Sequence, residues 1–155
     1  MFTFIGDFAC RTDAKGRVVF PSAFKKGLGE GDVRLVVRKD LFESCLVIYP
    51  FSVWEEELSR IRAKLNPYNR EHNRFLRNFF RGSAEVSLDG NGRFLIPKRL
   101  MEQIDAAREV VLLGVDRCIE VWSKEVYDEE DLSREGLGDL AEKILGESGS
   151  GDEIR

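Results

Sequence analysis

The sequence has 155 residues, of which 43% are hydrophobic and 34% are charged, a balance typical of a folded, water-soluble protein. No stretch has membrane-spanning length, and Asp7 and Arg11 interrupt the only early apolar run, so we expect no membrane span and no signal peptide. The net charge of −4 is uneven: residues 1–100 carry 18 Lys and Arg against 12 Asp and Glu, and residues 101–155 carry 6 against 16. This excludes a uniformly basic, non-specific binder but allows a polyanion-binding face on the first two thirds.

One stretch of the chain occurs twice. The sequence DAKGRVVFP at residues 13–21 returns 76 residues later as DGNGRFLIP at residues 89–97. The apolar run at 35–37 returns at 111–113, and Cys45 matches Cys118 after the shift has fallen to 73. Two copies are too few for a solenoid, so we expect a pseudo-dimer whose halves bury each other's apolar faces.

Each copy predicts the same order of elements: strand, turn, strand, short helix, two strands and a long helix. Aromatic and β-branched runs mark the strands, and Pro followed by polar residues marks the short helix. The first copy predicts a strand over residues 2–5 ending near Gly6, a turn over 13–16, a strand over 18–20, a helix over 22–26 closed by Gly27 or Gly29, strands over 33–38 and 46–49, and a helix opened by a capping box at Ser52 and Glu55.

Two helices follow each other in the middle of the chain, separated by Asn66 and Pro67. The second carries a basic stripe, for which three interpretations stay open: a solvated face, ion pairing with the acidic C-terminal part of a neighbouring copy, or contact with the DNA backbone. The second copy ends in a helix that begins near Ser123 and runs into the acidic run 128–131, and the tail from Gly146 is predicted to be disordered. The first helix has the apolar stripe Trp54, Leu58, Ile61 and Leu65, and the second has the apolar side Phe75, Leu76 and Phe79 and the basic stripe Arg70, Arg74, Arg77 and Arg81.

Catalytic and cofactor motifs are absent from the sequence. Neither doubled turn matches a phosphate-binding or dinucleotide fingerprint, and there is no nucleophile elbow. The only histidine, His72, lies in a polar helical stretch and is predicted to be a surface residue rather than a general base. Without a Cys/His cluster a zinc site is not expected. We therefore predict a protein that is not an enzyme and needs no cofactor, metal or small-molecule substrate.

The doubled turn carries the remaining chemistry. Asp13 and Arg17 lie four residues apart across a tight turn, and so do Asp89 and Arg93. A guanidinium held by such a turn can bind phosphate with two parallel hydrogen bonds or read guanine in the major groove. The competing interpretation is structural, with each Asp bracing its turn and each Arg pairing only with that Asp.

We favour the structural interpretation for Asp13 and Asp89 and the functional one for Arg17 and Arg93. A braced turn does not need an arginine, and an exposed ion pair contributes only about 0–1 kcal/mol to stability. The turn-bracing residues are predicted to be Asp13, Gly16, Asp89 and Gly92, and Lys15, whose counterpart Asn91 is neutral, is predicted to contact phosphate.

These motifs resemble the MraZ family, which is built from two AbrB-type (SpoVT-AbrB) units. The resemblance rests on the doubled Asp-x-x-Gly-Arg motif with its apolar residues and Pro, on Met1-Phe2, on residues 77–82 (RNFFRG) and on residues 119–122 (IEVW), and it covers residues 1–145. It implies a bacterial transcriptional regulator that forms ring-shaped homo-oligomers and binds double-stranded DNA with short direct repeats. It further implies action on the promoter of the division and cell-wall gene cluster, in the cytoplasm and associated with the nucleoid.

Carried over to this sequence, the resemblance makes Lys15, Arg17 and Arg93 the DNA-contacting residues. The sequence departs from the family pattern at Thr12, where an apolar residue is more usual, and at Met101, where a basic residue often follows the short helix.

The implied fold is α+β, with two tandem AbrB-like swapped-hairpin β units and helices forming a pseudo-dimeric, barrel-like core. We expect a first unit over residues 1–65, a connecting basic helix over 66–79, a second unit over 80–145 and a disordered tail over 146–155. Two alternatives to DNA binding stay open. One is an oligomeric scaffold whose loops contact a protein partner, and the other is an enzyme whose arginines clamp an anionic substrate in a deep pocket.

Overall fold

A computed structural model describes residues 2–28, 33–129 and 134–146, without the side chains of 134 and 135. The predictions for Gly29, for the end of the acidic run at 130–131 and for the tail beyond 146 lie outside these residues. The elements in chain order are β1 (Phe4–Arg11), β2 (Arg17–Val19), α1 (Ser22–Lys25), β3 (Arg34–Lys39), β4 (Leu46–Pro50), α2 (Phe51–Ala63), α3 (Arg70–Arg81), β5 (Ser83–Ser87), β6 (Arg93–Leu95), α4 (Lys98–Gln103), β7 (Glu109–Asp116), β8 (Cys118–Ser123), α5 (Lys124–Glu129) and α6 (Arg134–Leu145).

The two copies exchange their first strands. Six strands form one sheet in the order β1-β7-β8-β4-β3-β5, and β2 and β6 form a separate two-stranded sheet. In the large sheet β1 of the first copy pairs with β7 of the second, and β5 of the second copy pairs with β3 of the first. The predicted α+β class with two tandem swapped units is thereby confirmed, although these strands form two sheets rather than one closed hydrogen-bonded barrel.

The strand register reveals a pseudo-two-fold axis. Val18 in β2 lies opposite Phe94 in β6, its own counterpart at the repeat shift of 76. Val47 in β4 lies opposite Glu120 in β8, its counterpart at the shift of 73. A residue can face its own counterpart only on the symmetry axis, so the axis passes through the centre of both pairings.

The large sheet is covered on both faces. Leu35 and Val37 of β3 point into the main core, together with Val18 and Phe94 of the small sheet, whereas Val36 points into a second cluster with Phe79 of α3. This alternation follows from the two-residue period of a strand. The β2·β6 pair with α1 and α4 therefore lies on one face, and α2 and α3 lie on the other.

Two local predictions were wrong at element boundaries. The first strand does not end near Gly6 but continues in register with β7 to Arg11. Gly6 has a φ of +101°, which favours glycine, and it lies opposite Gly114 within the continuous ladder rather than at its end. The capping box at Ser52 is also absent: helix α2 begins at Phe51, directly after Pro50, and no side chain caps it.

The predicted apolar faces of α2 and α3 are confirmed in part, since Phe75 of the predicted side of α3 is exposed. Trp54 and Leu58 are buried on α2, and Phe79 is buried on α3, where its ring stacks on that of Trp54. Helix α2 ends at Ala63, so Leu65 of the predicted stripe lies beyond it. None of the helices in the described ranges is long and apolar enough to span a membrane.

Replacing Gly114 by alanine should destabilise the fold by loosening the exchanged strand β1. A Cβ atom at Gly114 would lie 2.6 Å from the backbone nitrogen of Ile5 and from the carbonyl carbon of Phe4, so β1 must move away. Such overpacking costs about 1–3 kcal/mol, to be measured as the free energy of unfolding in urea. Gly90→Ala is the control, because a Cβ atom there meets nothing within 4 Å. Equal stability of the two variants would contradict the close contact between β1 and β7.

Candidate nucleic-acid interface

The β2·β6 pair forms a short ribbon with one buried and one outward face. Val18 and Phe94 are buried beneath it. Since directly opposed residues share a face, the pairings Arg17↔Leu95 and Val19↔Arg93 put these four side chains on the outward face. Each of the two outer residue pairs of the ribbon therefore presents one arginine beside one aliphatic side chain.

The first loop holds Arg17 through Asp13. One carboxylate oxygen of Asp13, Oδ1, accepts hydrogen bonds from the backbone amides of Lys15 and Arg17, both at 2.9 Å. The other oxygen, Oδ2, accepts from Arg17 Nε at 2.9 Å. Gly16 closes the turn with a φ of +83° and donates its amide to the Asp13 carbonyl at 3.0 Å. Both the backbone and the guanidinium of Arg17 are thus fixed by one aspartate.

The second loop repeats this arrangement around Asp89. Its Oδ1 accepts from the amides of Asn91 and Arg93 at 2.8 and 2.9 Å, and its Oδ2 accepts from Arg93 Nε at 3.3 Å. Gly92 has a φ of +72° in the same role as its counterpart. Arg93 Nη1 also lies 3.8 Å from Asp13 Oδ2, so an ion pair joins the two copies and the loops lie side by side.

Hydrogen bonds within the loops favour the charged form of both aspartates. The pKa of Asp13 is lowered, chiefly by the hydrogen bond from the Arg17 amide, and the pKa of Asp89 is lowered chiefly by that from the Arg93 amide. Each arginine uses Nε for its aspartate. Within the described ranges, the Nη groups of Arg17 donate no hydrogen bond to the protein, so the outer end of the guanidinium is available to a ligand.

A lysine that was not predicted also lies at the second loop. Lys25 of α1 places its Nζ against Gly92, where a Cβ atom would collide with it. The first loop has its own exposed lysine, Lys15, and the second loop has the neutral Asn91 in that position. Each loop is therefore accompanied by one lysine. The sequence contained a hint, because Lys25 is the counterpart of Met101, the position of the short helix where a basic residue is common in the family. Only the fold shows that the short helix of the first copy reaches the loop of the second.

The basic stripe of α3 lies apart from this ribbon. Helix α3 packs on the opposite face of the large sheet through Phe79. The four arginines of the stripe are exposed and, as far as the chain is described, their guanidinium groups form no hydrogen bond or ion pair within the protein. We therefore leave the stripe out of the interface, since the large sheet separates it from the ribbon.

Other candidate groups have structural environments. His72 accepts the backbone amide of Asn66 through Nδ1 at 2.9 Å, which ties the start of α3 to the preceding turn. A groove of about 860 Å³ beside α3 is lined by Phe75, Arg81 and Arg99 among others and by neither loop arginine. Burial raises the pKa of the Cys45 thiol to about 12. No three His, Cys, Asp or Glu side chains in the described ranges are grouped so that they could hold a metal ion.

Comparison with known proteins gives a consistent result over almost the whole chain. The family model of the MraZ protein matches residues 3–78 and again residues 79–140. The chain is 42% identical over 144 residues to a protein of Phocaeicola vulgatus named transcriptional regulator MraZ, covering 92% of this chain and 94% of that protein. Proteins of the same name from Bacteroides thetaiotaomicron and Desulforamulus reducens are 39% and 37% identical, covering 98% and 92% of this chain and 98% and 97% of those proteins.

The variant Asp13→Asn/Asp89→Asn should be less stable than the wild type at pH 7, and the difference should narrow in acid. The pKa of each aspartate is lower in the folded protein than its ordinary value of 3.8. Each carboxylate therefore stabilises the fold at a pH above 3.8, and this contribution is lost as the pH falls through the folded-state pKa. Urea unfolding at pH 7, 5 and 3 measures the effect. Asp139→Asn, exposed on α6, is the control. A stability difference that is independent of pH would contradict the role of the two charges.

Proposed function

This chain belongs to the MraZ family, and from that premise we propose that it is a DNA-binding transcriptional regulator whose β2·β6 ribbon binds double-stranded DNA. Since its relatives are named transcriptional regulators, the prediction that the chain is not an enzyme is confirmed by its family. The observation that supports the ribbon as the interface is the pair of braced arginines on one outward face. An ordinary turn gains little from such a pair.

The geometry of the arginines suits recognition of base edges. With Nε held by an aspartate, the guanidinium groups of Arg17 and Arg93 are restrained on the outward face, and Nη1 of Arg93 also lies 3.8 Å from Asp13 Oδ2. A guanidinium presented in this way can donate two hydrogen bonds to O6 and N7 of guanine in the major groove. We assign Lys15 and Lys25, one beside each loop, to the flanking phosphates, where positive charge adds affinity without sequence preference.

We further propose that several copies form a ring that sets their ribbons against short direct repeats. The promoter of the division and cell-wall gene cluster is the proposed target, with the protein acting at the nucleoid in the cytoplasm. Large apolar side chains exposed on α3, just before α3 and between β3 and β4 support self-association, since large exposed apolar groups mark interaction surfaces when they are grouped. These side chains are Phe42 at 90%, Tyr68 at 95%, Phe75 at 39% and Phe80 at 45% exposure.

The alternative is an oligomeric scaffold that acts through a protein partner. Helix α6 supports it, because Leu137, Leu140 and Ile144 are exposed along one helix. An apolar helix face of this kind suits a protein groove better than a nucleic acid. The two hypotheses differ in whether the loop arginines matter for DNA binding by the pure protein.

Arg17→Ala should lose specific DNA binding while keeping the fold and the oligomer. Loss of one bidentate base contact costs about 1–3 kcal/mol, and an assembly repeats that loss in every copy. The measurement is fluorescence anisotropy with a duplex selected by the wild-type protein from fragments of the source genome. Arg93→Ala should behave in the same way.

The matched control is Arg62→Ala, which removes the same charge from an exposed position on α2, on the other face of the large sheet. It should bind as the wild type does. If Arg17→Ala and Arg62→Ala weaken binding equally, only net charge matters and the ribbon is not the interface. If the pure protein binds no DNA at any salt concentration, the scaffold hypothesis is preferred.

The number and phase of the repeats should control affinity. Copies held in one assembly turn the second contact into an intramolecular event, which raises avidity by about 10²–10⁴-fold. Duplexes with one repeat, two naturally spaced repeats, two repeats with about 5 extra base pairs and two with about 10 extra are titrated at one salt concentration. The half-turn insertion should lose most of the gain, and the full turn should restore part of it. If the affinity does not depend on the number or the phase of the DNA repeats, the copies of the protein do not bind as an array.

A further inference from the structure

The outward face of the ribbon contains two aliphatic side chains whose exposure the protein itself does not explain. Val19 is 55% exposed and Leu95 is 53% exposed, although their strand neighbours Val18 and Phe94 are among the most buried residues. A polar residue at either position would satisfy the strand alternation equally well. These two aliphatic groups therefore point to a partner that covers them.

Their position relative to the arginines identifies that partner. Leu95 lies directly opposite Arg17, and Val19 lies directly opposite Arg93, with one residue, Val18, between Arg17 and Val19 along the same strand. Directly opposed side chains in an antiparallel pair have Cβ atoms about 4.5–5.5 Å apart. Any molecule that binds the guanidinium group of an arginine on this face therefore also contacts the neighbouring aliphatic side chain.

A two-stranded ribbon fits the major groove of B-DNA. The groove is about 12 Å wide, and paired strands lie about 4.8 Å apart, so the ribbon enters with its outward face toward the bases. Four nearby cationic groups, Lys15, Arg17, Lys25 and Arg93, complement the charge of the duplex. The occupant of this face is therefore a nucleic acid rather than a second, acidic protein surface of the same size.

Within the major groove the only apolar group on a base edge is the 5-methyl group of thymine. We propose that Val19 and Leu95 are specificity-determining residues that contact thymine methyl groups beside the guanines read by Arg93 and Arg17. This inference rests on the proposed function, since it requires the ribbon to face DNA. It predicts that, in the recognised site, a thymine on one of the two strands lies in a base pair next to each guanine that an arginine contacts.

The consequence is discrimination between thymine and deoxyuridine, which differ only in that methyl group. A duplex of about 20 base pairs, selected by the wild-type protein from a random-sequence library, is prepared with each thymine replaced in turn by deoxyuridine. Wild-type protein should lose about four-fold in affinity at each contacted thymine, the factor expected for one buried methyl-sized group. The double variant Val19→Ala/Leu95→Ala should bind the thymine and deoxyuridine duplexes equally.

Two further variants make the result specific. Leu95→Met keeps the apolar area and should keep the discrimination at its thymine, which guards against an effect of Leu95→Ala on the neighbouring Gly16 loop. Ile5→Ala removes an aliphatic group that is 73% exposed on β1, away from the ribbon, and should discriminate as the wild type does. Thermal unfolding of all variants checks that the fold is kept.

The possible failures are distinguishable. If Arg17→Ala loses specific binding but the alanine double variant still prefers thymine, the DNA-binding function stands and the methyl contact is overturned. If the double variant loses self-association by light scattering instead, the face is an interface between copies and the inference is overturned as well. If the wild-type protein selects no sequence at all, the proposed function fails together with the inference.

Discussion

The exchange of first strands between the two copies is the constraint on which the rest of the structure depends. Because, among the described residues, β1 is paired only with β7 and β5 only with β3, neither copy completes its part of the sheet alone. The exchange fixes the pseudo-two-fold axis, and the axis brings β2 against β6. Two turns that lie 76 residues apart in the sequence thereby become neighbours, joined by the ion pair between Arg93 and Asp13.

The small sheet has one buried face and one outward face, and the proposed function assigns DNA recognition to the outward one. Its central pair, Val18 and Phe94, is fully enclosed in the core, so the ribbon cannot turn over without exposing both. The alternation that buries this pair forces its neighbours outward, and the aspartates restrict where the outward arginines point. The excess of acidic residues over residues 101–155 confines general attraction to a polyanion to the first two thirds of the chain. Under the proposed function, the outward face of the ribbon is the rigid surface that recognises DNA.

Much of the fold was predictable because it follows from local chemistry and from the repeat. The turn residues, the short helices after Pro21 and Pro97 and the buried helix faces all follow from short-range patterns. Predictions failed where a long-range contact overrides a local rule. A glycine at position 6 predicts the end of a strand, yet Gly6 lies opposite Gly114 within a continuous strand pairing. The capping box at Ser52 competes with Pro50, whose fixed φ of −55° suits the N-cap position and starts the helix two residues earlier than Ser52 would.

The candidate site was predictable to a similar degree. The doubled motif identifies the turn and the arginines from spacing alone, whereas Lys25 reaches the second loop only through the packing of one copy on the other. The outward position of Val19 and Leu95 depends on the register of two strands that are distant in sequence. A one-residue slip of that register would bury these side chains and expose the core pair. The division of the chain into units at residues 65 and 80 stays a prediction.

The central claim is that the ribbon, and not the arginine stripe of α3, receives the DNA. A crystal structure of the chain with its selected duplex tests it directly, through the distance from the Arg17 Nη atoms to the nearest base edge. The account predicts a hydrogen-bonding distance of about 2.7–3.2 Å in the major groove, with Lys15 at an adjacent phosphate. A duplex lying along Arg70, Arg74 and Arg77, with the ribbon facing solvent, would contradict it.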